Sequence, residues 1–296
     1  MTRAGFVAIL GAPNVGKSTL MNRMVGSKVS IVSPKVQTTR TRVLGISIKD
    51  ETQIVFVDTP GIFKPRRRLD RAMVAAAWSG EKDADMTLLL VDGERGIDAN
   101  TAAIVERLKS DNRKAILVLN KVDLAKKPEL LKLVDTLSDA GIFTDTFMIS
   151  AMTGDGVEDL AAFLCQALPE GPWLYPEDQI SDMPLRLLAA EITREQLFLQ
   201  LRQELPYAIT VETEEWQEKP DGSVRVAQVI FVERAGQKGI ILGKGGAQIK
   251  QLGAASRKEL EGILDQKVHL FLFVKVREGW GDDPDRYRDW GLDYNA

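Results

Sequence analysis

The chain has 296 residues, enough for two domains, with ordinary apolar (44%) and charged (27%) content and a net charge of −3 that points to no partner. One cysteine, Cys165, rules out an internal disulfide and fits a reducing cytoplasm, and with a single histidine it excludes a His/Cys metal centre. No apolar run reaches the ~18 residues of a membrane span, and the N-terminus is expected to enter the first strand without a signal peptide.

Residues 6–10 are apolar and read as a short buried strand. Gly11-Ala12-Pro13-Asn14-Val15-Gly16-Lys17-Ser18 follows, and Thr19 opens a stretch of helical character. G-x-x-x-x-G-K-S between a strand and a helix is the spacing of a phosphate-binding loop. Its glycines let successive N–H groups turn inward toward phosphate oxygens. The helix opening at Gly16 adds its positive end. Lys17 can reach the β- and γ-phosphates, and the Ser18 hydroxyl can bind Mg²⁺. A glycine-rich turn with a solvated lysine is the competing reading, and eight matching positions weigh against it.

Residues 27–42 are rich in Lys, Ser, Thr and Pro and read as a long functional loop. Within it, Gln37-Thr38-Thr39-Arg40 offers a threonine hydroxyl to a metal ion, Thr39 in preference to Thr38. Residues 43–48 and 53–57 form an antiparallel hairpin across a short polar turn. The hairpin ends in Asp58-Thr59-Pro60-Gly61. There a carboxylate can hold Mg²⁺ through water, and a glycine N–H can approach a γ-phosphate. Residues 62–69 carry Arg66-Arg67-Arg68 and read as a basic, solvated loop.

Strands at 86–91, 115–119 and 143–149 then alternate with helices at 97–108, 128–137 and 157–168. That alternation predicts an α/β domain: a mainly parallel sheet with one antiparallel edge strand and helices on both faces. Cys165 reads as an apolar residue on the core face of the last helix. The strand at 115–119 ends in Asn120-Lys121-Val122-Asp123, which decides the base. A buried Asp123 carboxylate can accept from N1–H and the 2-amino group of guanine, whereas adenine would leave it unpaired. Sites of that kind discriminate by ~10⁴ or more. The strand at 143–149 leads to Ser150-Ala151, whose backbone could meet the guanine O6.

The order and spacing of these elements over residues 5–168 resemble the translation-factor class of small GTPases. One position departs from the Ras-like pattern. Ile62 stands where a glutamine would orient the attacking water. Asn14 matches the asparagine that helps hold K⁺ in some such GTPases, and a loop asparagine bonding its own backbone is the equal alternative. The resemblance places Lys17, Asn14, Gly61 and Thr39 at the reaction centre, and Ser18, Thr39 and Asp58 at Mg²⁺. The nucleotide falls to residues 11–19, residues 58–62 and Asn120, Lys121, Asp123, Ser150 and Ala151.

A Pro/Asp-rich break at 169–184 reads as a semi-rigid linker. A helix at 185–201 and strands at 207–212 and 224–232 follow. Next comes Ile240-Ile241-Leu242-Gly243-Lys244-Gly245-Gly246-Ala247-Gln248-Ile249, a G-x-x-G turn between two helices, and a strand at 268–276 closes the set. Helix–strand–strand–helix–helix–strand with this turn is the order of a type II KH domain, a smaller α+β unit. Gly243, Gly245 and Gly246 would lie against a single-stranded backbone while Lys244 and Lys250 neutralise phosphate. Residues 236–277 hold eight basic and three acidic side chains, a net +5 that fits nucleic acid. His269 reads as structural. In the acidic tail, Trp280, Tyr287, Trp290 and Tyr294 are expected to fold back on this domain.

A GTPase domain (1–168), a linker (169–184), a KH domain (185–277) and a tail (278–296), with Q-T-T-R and D-T-P-G-I in place, together resemble the Era family. The resemblance implies a slow GTPase using GTP, GDP and Mg²⁺, with K⁺ as a further candidate. It also implies a monomeric cytoplasmic protein that binds the 3′ region of small-subunit ribosomal RNA and acts in small-subunit assembly. Peripheral contact with the inner face of the cytoplasmic membrane belongs to the same implication. An alternative keeps the KH domain as a constitutive RNA-binding module beside a nucleotide-sensing, nearly non-hydrolysing G domain. A membrane-recruited signalling GTPase is disfavoured, because no basic amphipathic helix or lipidation motif is present.

Overall fold

The structure is a computed structural model that describes residues 1–35, 38–201 and 205–296. It divides into two contact units: Met1–Ser30, Thr39–Asp182 and Tyr287–Ala296 form the first, and Ile31–Thr38 and Met183–Arg286 the second.

The first unit holds a six-stranded sheet made of β1 (Arg3–Gly11), β2 (Val43–Lys49), β3 (Thr52–Asp58), β4 (Met86–Asp92), β5 (Ala115–Asn120) and β6 (Phe143–Met148). The order is β2-β3-β1-β4-β5-β6, with β2 antiparallel to β3 and the other pairs parallel. Leu88–Val91 and Ile116–Leu119 are fully covered because helices close both faces of the sheet. One face packs α2 (Arg68–Lys82), α3 (Ala99–Ser110) and α4 (Lys127–Ser138) through Ala77, Ile104, Leu108, Leu130 and Leu137. The other face takes α1 (Lys17–Val25), which approaches so closely that a Cβ at Gly45 would meet Met21 at 2.8 Å, and α5 (Val157–Ala167).

Four expectations change here. Helix α2 goes unread in the sequence because alanines carry much of its buried side, alongside Leu69 and Met73. The 62–69 loop therefore ends in a helix start, where Asp70 Oδ2 accepts from the N–H groups of Arg66 and Arg67 at 3.0 Å each. Cys165 is only half-buried, since the inward side of α5 is Val157, Leu160, Ala161 and Leu164, and its partial burial pushes the thiol pKa up. The proline-rich stretch up to Asp182 is a strap bonded to the first unit. Gln53, fully buried, accepts from the N–H groups of Leu174 (2.8 Å) and Tyr175 (3.0 Å) and donates to the Tyr175 carbonyl (2.8 Å). Farther along, the Ile46 N–H donates to the Ile180 carbonyl at 2.9 Å, and the Ser181 hydroxyl to the Leu44 carbonyl at 2.7 Å. The strap thus covers the β2 edge.

The second unit packs α6 (Leu185–Gln200), α7 (Ala235–Leu242) and α8 (Ala247–Leu264) on a three-stranded sheet of β7 (Ile209–Glu218), β8 (Val224–Val232) and β9 (Val268–Val276). Strand β8 runs antiparallel to β7 and parallel to β9. The C-terminal residues divide differently from expectation. Trp280 is buried in the second unit, its Nε1 donating to the Ala208 carbonyl at 3.1 Å. The last helix, α9 (Pro284–Asp289), spans the boundary. Tyr287 and Leu292, with Trp290 and Tyr294, pack instead on Leu69, Ala72 and Met73 of α2 in the first unit. The apolar side of α2 supplies the surface those aromatics need. Among the described residues no helix is long and apolar enough to cross a membrane.

Replacing Gln53 by alanine would leave the Leu174 and Tyr175 N–H groups without their acceptor. We expect a loss of about 2 kcal/mol of stability in equilibrium urea unfolding, within the usual ~1–3 kcal/mol for such a group. An unchanged midpoint would mean the strap is held by other bonds.

Candidate nucleotide site and nucleic-acid clamp

The phosphate loop joins the C-terminal end of β1 to α1. Gly16 has φ 100°, a left-handed value that favours glycine, and a Cβ there would meet Asn120 Nδ2 at 2.2 Å. The missing side chain is what lets Asn120 reach across. Its Nδ2 donates to the Val15 carbonyl at 2.7 Å, and its Oδ1 accepts from the Ala151 N–H at 2.8 Å. One buried amide thus ties the phosphate loop, the end of β5 and the Ser150–Ala151 turn together. Helix α1 has no side-chain cap at Gly16, so its first N–H groups face the loop.

Lys17 is buried beneath that loop, its Nζ donating to the carbonyls of Gly11 (3.2 Å) and Ala12 (3.1 Å). Burial lowers its pKa to about 8, against the pull of the neighbouring Asp58 carboxylate. Asp58 is fully buried, and burial pushes its own pKa up despite Lys17 and three hydroxyls. Asp58 Oδ2 accepts from Ser18 at 2.6 Å, Ser30 at 2.9 Å and Thr39 at 3.4 Å, and Ser18 Oγ lies 3.0 Å from Thr39 Oγ1. Asp58 Oδ1, equally buried, has no hydrogen-bond partner among the described residues. A free carboxylate oxygen beside three hydroxyls is an all-oxygen donor set, which fits Mg²⁺. The Thr38 hydroxyl is engaged elsewhere, with Ser33 Oγ and the Lys35 carbonyl, each at 2.7 Å. Gln37 of the same motif lies outside the described residues.

Gly61 lies against the phosphate loop, where a Cβ would come within 2.9 Å of Pro13 Cα. Ile62 points the other way, buried with Leu10, Ala77 and Leu89 while its N–H donates to the Gly11 carbonyl at 3.1 Å. Its side chain is part of the core. Asn14 adopts φ 65°, and Thr59, fully buried, donates its hydroxyl to the Ile9 carbonyl at 2.9 Å. In the base region Ser150 and Ala151 are buried. Asp123 lies in the turn after β5 and is exposed, contrary to the buried carboxylate expected. Three contributors escaped the sequence reading. Ser30 reaches Asp58, Arg23 of α1 donates from Nε to the Ala151 carbonyl at 2.6 Å, and Asp92 pairs with Lys121 at 2.5 Å. Each acts from outside a recognisable motif, and spacing gives no signal for it.

In the second unit Gly243, Gly245 and Gly246 have φ of 70°, 61° and 79°, which lets the turn reverse within a few residues. Helix α8 begins there without a side-chain cap, and Lys244, Gly245 and Lys250 are exposed around it. Open N–H groups beside two lysines suit a phosphate backbone. Gln248 and Gln200 bond α8 to α6 at 3.3 Å, and Gln196 and Glu259 do so at 2.9 Å.

With its pKa near 8, Lys17 is about half deprotonated at pH 8 in the free protein. An anion bound against it favours the charged form and raises that pKa, so binding takes up protons. Calorimetry of GDP binding in buffers of different ionisation enthalpy should show uptake of about half a proton at pH 8 and little at pH 6.5. No uptake at pH 8 would remove Lys17 from the phosphate site.

Residues 6–121 match the family described as 50S ribosome-binding GTPase, and residues 204–281 match the KH domain. The chain is 64% identical over 293 residues to GTPase Era of Rhizobium meliloti, covering 99% of this chain and 94% of the relative. GTPase Era of Bradyrhizobium diazoefficiens is 59% identical over 293 residues, covering 99% of this chain and 95% of the relative. Among solved structures, a point variant of Aquifex aeolicus Era bound to GDP and AlF₄⁻ superposes with a TM-score of 0.92 at 40% identity, over 98% of this chain and 99% of that one. Era in complex with MgGDPNP and nucleotides 1506–1542 of 16S ribosomal RNA gives 0.93, at the same identity and coverage. The phosphate loop, the guanine-type turn and the KH clamp thus occur in the company their chemistry calls for, and the chain belongs to the Era family of GTPases.

Proposed function

We propose that this GTPase is a switch whose second unit grips the 3′ region of small-subunit ribosomal RNA during assembly of the small subunit. The observation that carries the reading is the uncapped, lysine-flanked G-x-x-G turn at the start of α8. Its support is a relative of the same fold in complex with nucleotides of 16S ribosomal RNA. The protein would work as a cytoplasmic monomer, with any membrane contact peripheral.

In hydrolysis, the N–H groups of the phosphate loop and Lys17 hold the phosphates, and the N–H of Gly61 would meet the γ-phosphate. Asn120 keeps the two walls of the site in register. Asp123 on its exposed turn is free to accept from guanine. Ser18, Thr39 and Asp58 would hold Mg²⁺, which supplies neutralisation of phosphate charge. With Ile62 turned into the core, no side chain next to Gly61 can orient water, so turnover of the protein alone is slow. Asn14 is the candidate for drawing K⁺ to the loop. Replacing it by glycine, which tolerates φ 65°, should abolish any acceleration in K⁺ over Na⁺ while GDP binding persists. Equal single-turnover rates of the parent protein in both salts would remove K⁺ from the reading.

The route from nucleotide to RNA that we propose follows the described residues 31–35, 38 and 39. Ile31 is buried with Leu188, Ala189 and Ile192, and the Val32 N–H donates to Glu195 Oε1 at 2.7 Å. Lys35 Nζ donates to the carbonyls of Phe198 and Leu201 at the end of α6, and Arg194 to the Thr38 carbonyl. The next residue, Thr39, belongs to the Asp58 cluster. A γ-phosphate and Mg²⁺ that fix Thr39 therefore pull on a segment anchored to α6, which is bonded to α8. For a typical coupling of about 1–3 kcal/mol, RNA should bind roughly 5- to 150-fold tighter with a GTP analogue than with GDP, at one fixed salt concentration. Gly246→Asp should weaken RNA binding in both nucleotide states by more than Gly246→Asn, which carries the same backbone strain without the charge. Identical RNA affinities in the two states would show two tethered, uncoupled units.

A further inference from the structure

We propose that Lys64, Arg66 and Arg67, between Gly61 and α2, form a second RNA contact in the first unit. They would take backbone phosphates of the RNA outside the nucleotides that the G-x-x-G clamp holds. A clamp of that kind grips only about four nucleotides, so a longer RNA has phosphates to spare. Residues 62–80 carry five basic side chains and one acid, a net +4 in a chain whose total is −3. With the +5 of residues 236–277 also set aside, the remaining surface is acidic and repels phosphate. Two of the five cations are engaged inside the first unit. The Arg68 guanidinium lies over the Tyr294 ring at 4.2 Å, and Arg71 Nε donates to the Ala296 carbonyl at 3.4 Å. Lys64, Arg66 and Arg67 are exposed, and among the described residues no carboxylate forms an ion pair with them.

What separates this run from an ordinary solvated one is how its backbone is held. Pro65 fixes its own φ between Lys64 and Arg66. The Arg66 and Arg67 N–H groups both donate to Asp70 Oδ2 at 3.0 Å, and Asp70 is buried. On either side, Phe63 and Leu69 pack into the apolar cluster of Met73 and Tyr287. A display fixed at both ends loses little further entropy when its side chains meet a ligand. An arginine fork fits two phosphate oxygens at once, and the adjacent Arg66 and Arg67 can serve successive phosphates. Among residues 62–71 no large apolar side chain is exposed, as insertion into a lipid surface would require. RNA is therefore the polyanion this patch fits.

The inference rests on the reading of the chain as an RNA-binding protein, and two RNA probes separate the two. The whole protein, with a GTP analogue, is titrated with a transcript of the 3′ domain of small-subunit ribosomal RNA. The second probe is a single-stranded piece of its 3′ end, about six nucleotides long, which fills the clamp alone. Lys64→Gln, Arg66→Gln and Arg67→Gln together should weaken transcript binding roughly tenfold and lower its log–log salt slope by about 2 to 3, as for three lost phosphate contacts. Binding of the short RNA and of GDP should stay within about twofold, as for ordinary surface substitutions. Lys109→Gln, Lys127→Gln and Lys132→Gln remove the same charge from exposed positions on α3 and α4. An equal loss in that control would reduce the effect to net charge and overturn the proposal. So would an unchanged transcript slope in the first triple variant, or a loss confined to its binding of phosphatidylglycerol vesicles, which would assign the patch to a membrane. If the short RNA fails to bind the parent protein, or ignores Gly246→Asp, the clamp reading fails instead, and the transcript still tests Lys64, Arg66 and Arg67.

Discussion

The nucleotide-binding half depends on one carboxamide. Asn120 bonds to the Val15 carbonyl with its nitrogen and to the Ala151 N–H with its oxygen, and it is almost wholly buried while doing so. A buried amide that loses either partner costs about 1–3 kcal/mol, so the three segments it joins are locked as a set. The lock sets its own sequence requirements. Gly16 must lack a Cβ for the amide to pass, and β5 must end in register with β4 so that Asn120 stands where both walls converge. The loop after β1 and the turn at Ser150–Ala151, far apart in the chain, thereby share one support.

Against that support the Asp58 cluster is the part built to change. A lysine and a carboxylate buried together, both with pKa values pushed toward neutrality, are an expensive arrangement in the free protein. Anionic phosphate and a divalent cation reverse both penalties, so ligand binding is strengthened by cost already present in the fold. The hydroxyls of Ser18, Ser30 and Thr39 converge on the same carboxylate from α1 and from two points of the long loop. A ligand that engages that carboxylate therefore also meets two points of the loop, Ser30 and Thr39.

Chemistry that constrains residue type was legible in the sequence. The phosphate loop, D-T-P-G, N-K-V-D and the G-x-x-G turn are read because each spacing serves a definite contact, and the continuous apolar strands follow from burial on both faces. What escaped was carried by groups without periodicity. The strap up to Asp182 is held by backbone N–H and carbonyl groups and by Gln53, so its prolines alone suggested a linker. Helix α2 hides behind alanines. The Lys121–Asp92 pair joins residues 29 apart and needs the β4–β5 register to be seen.

The two contact units also differ from the domains that composition suggests, and the difference has a physical consequence. Ile31 completes an apolar cluster otherwise made from residues beyond Met183, while Tyr287 and Leu292 complete one centred on Leu69 and Met73. Around the second cluster Tyr294 packs edge-on to Tyr287 at 5.1 Å, and the Arg68 guanidinium lies over the Tyr294 ring at 4.2 Å. These contacts join residues more than 200 apart in the chain, so closing them costs more chain entropy than closing a local contact. The helix that follows Gly61 is thus packed by residues more than 200 positions further along the chain, within one contact unit.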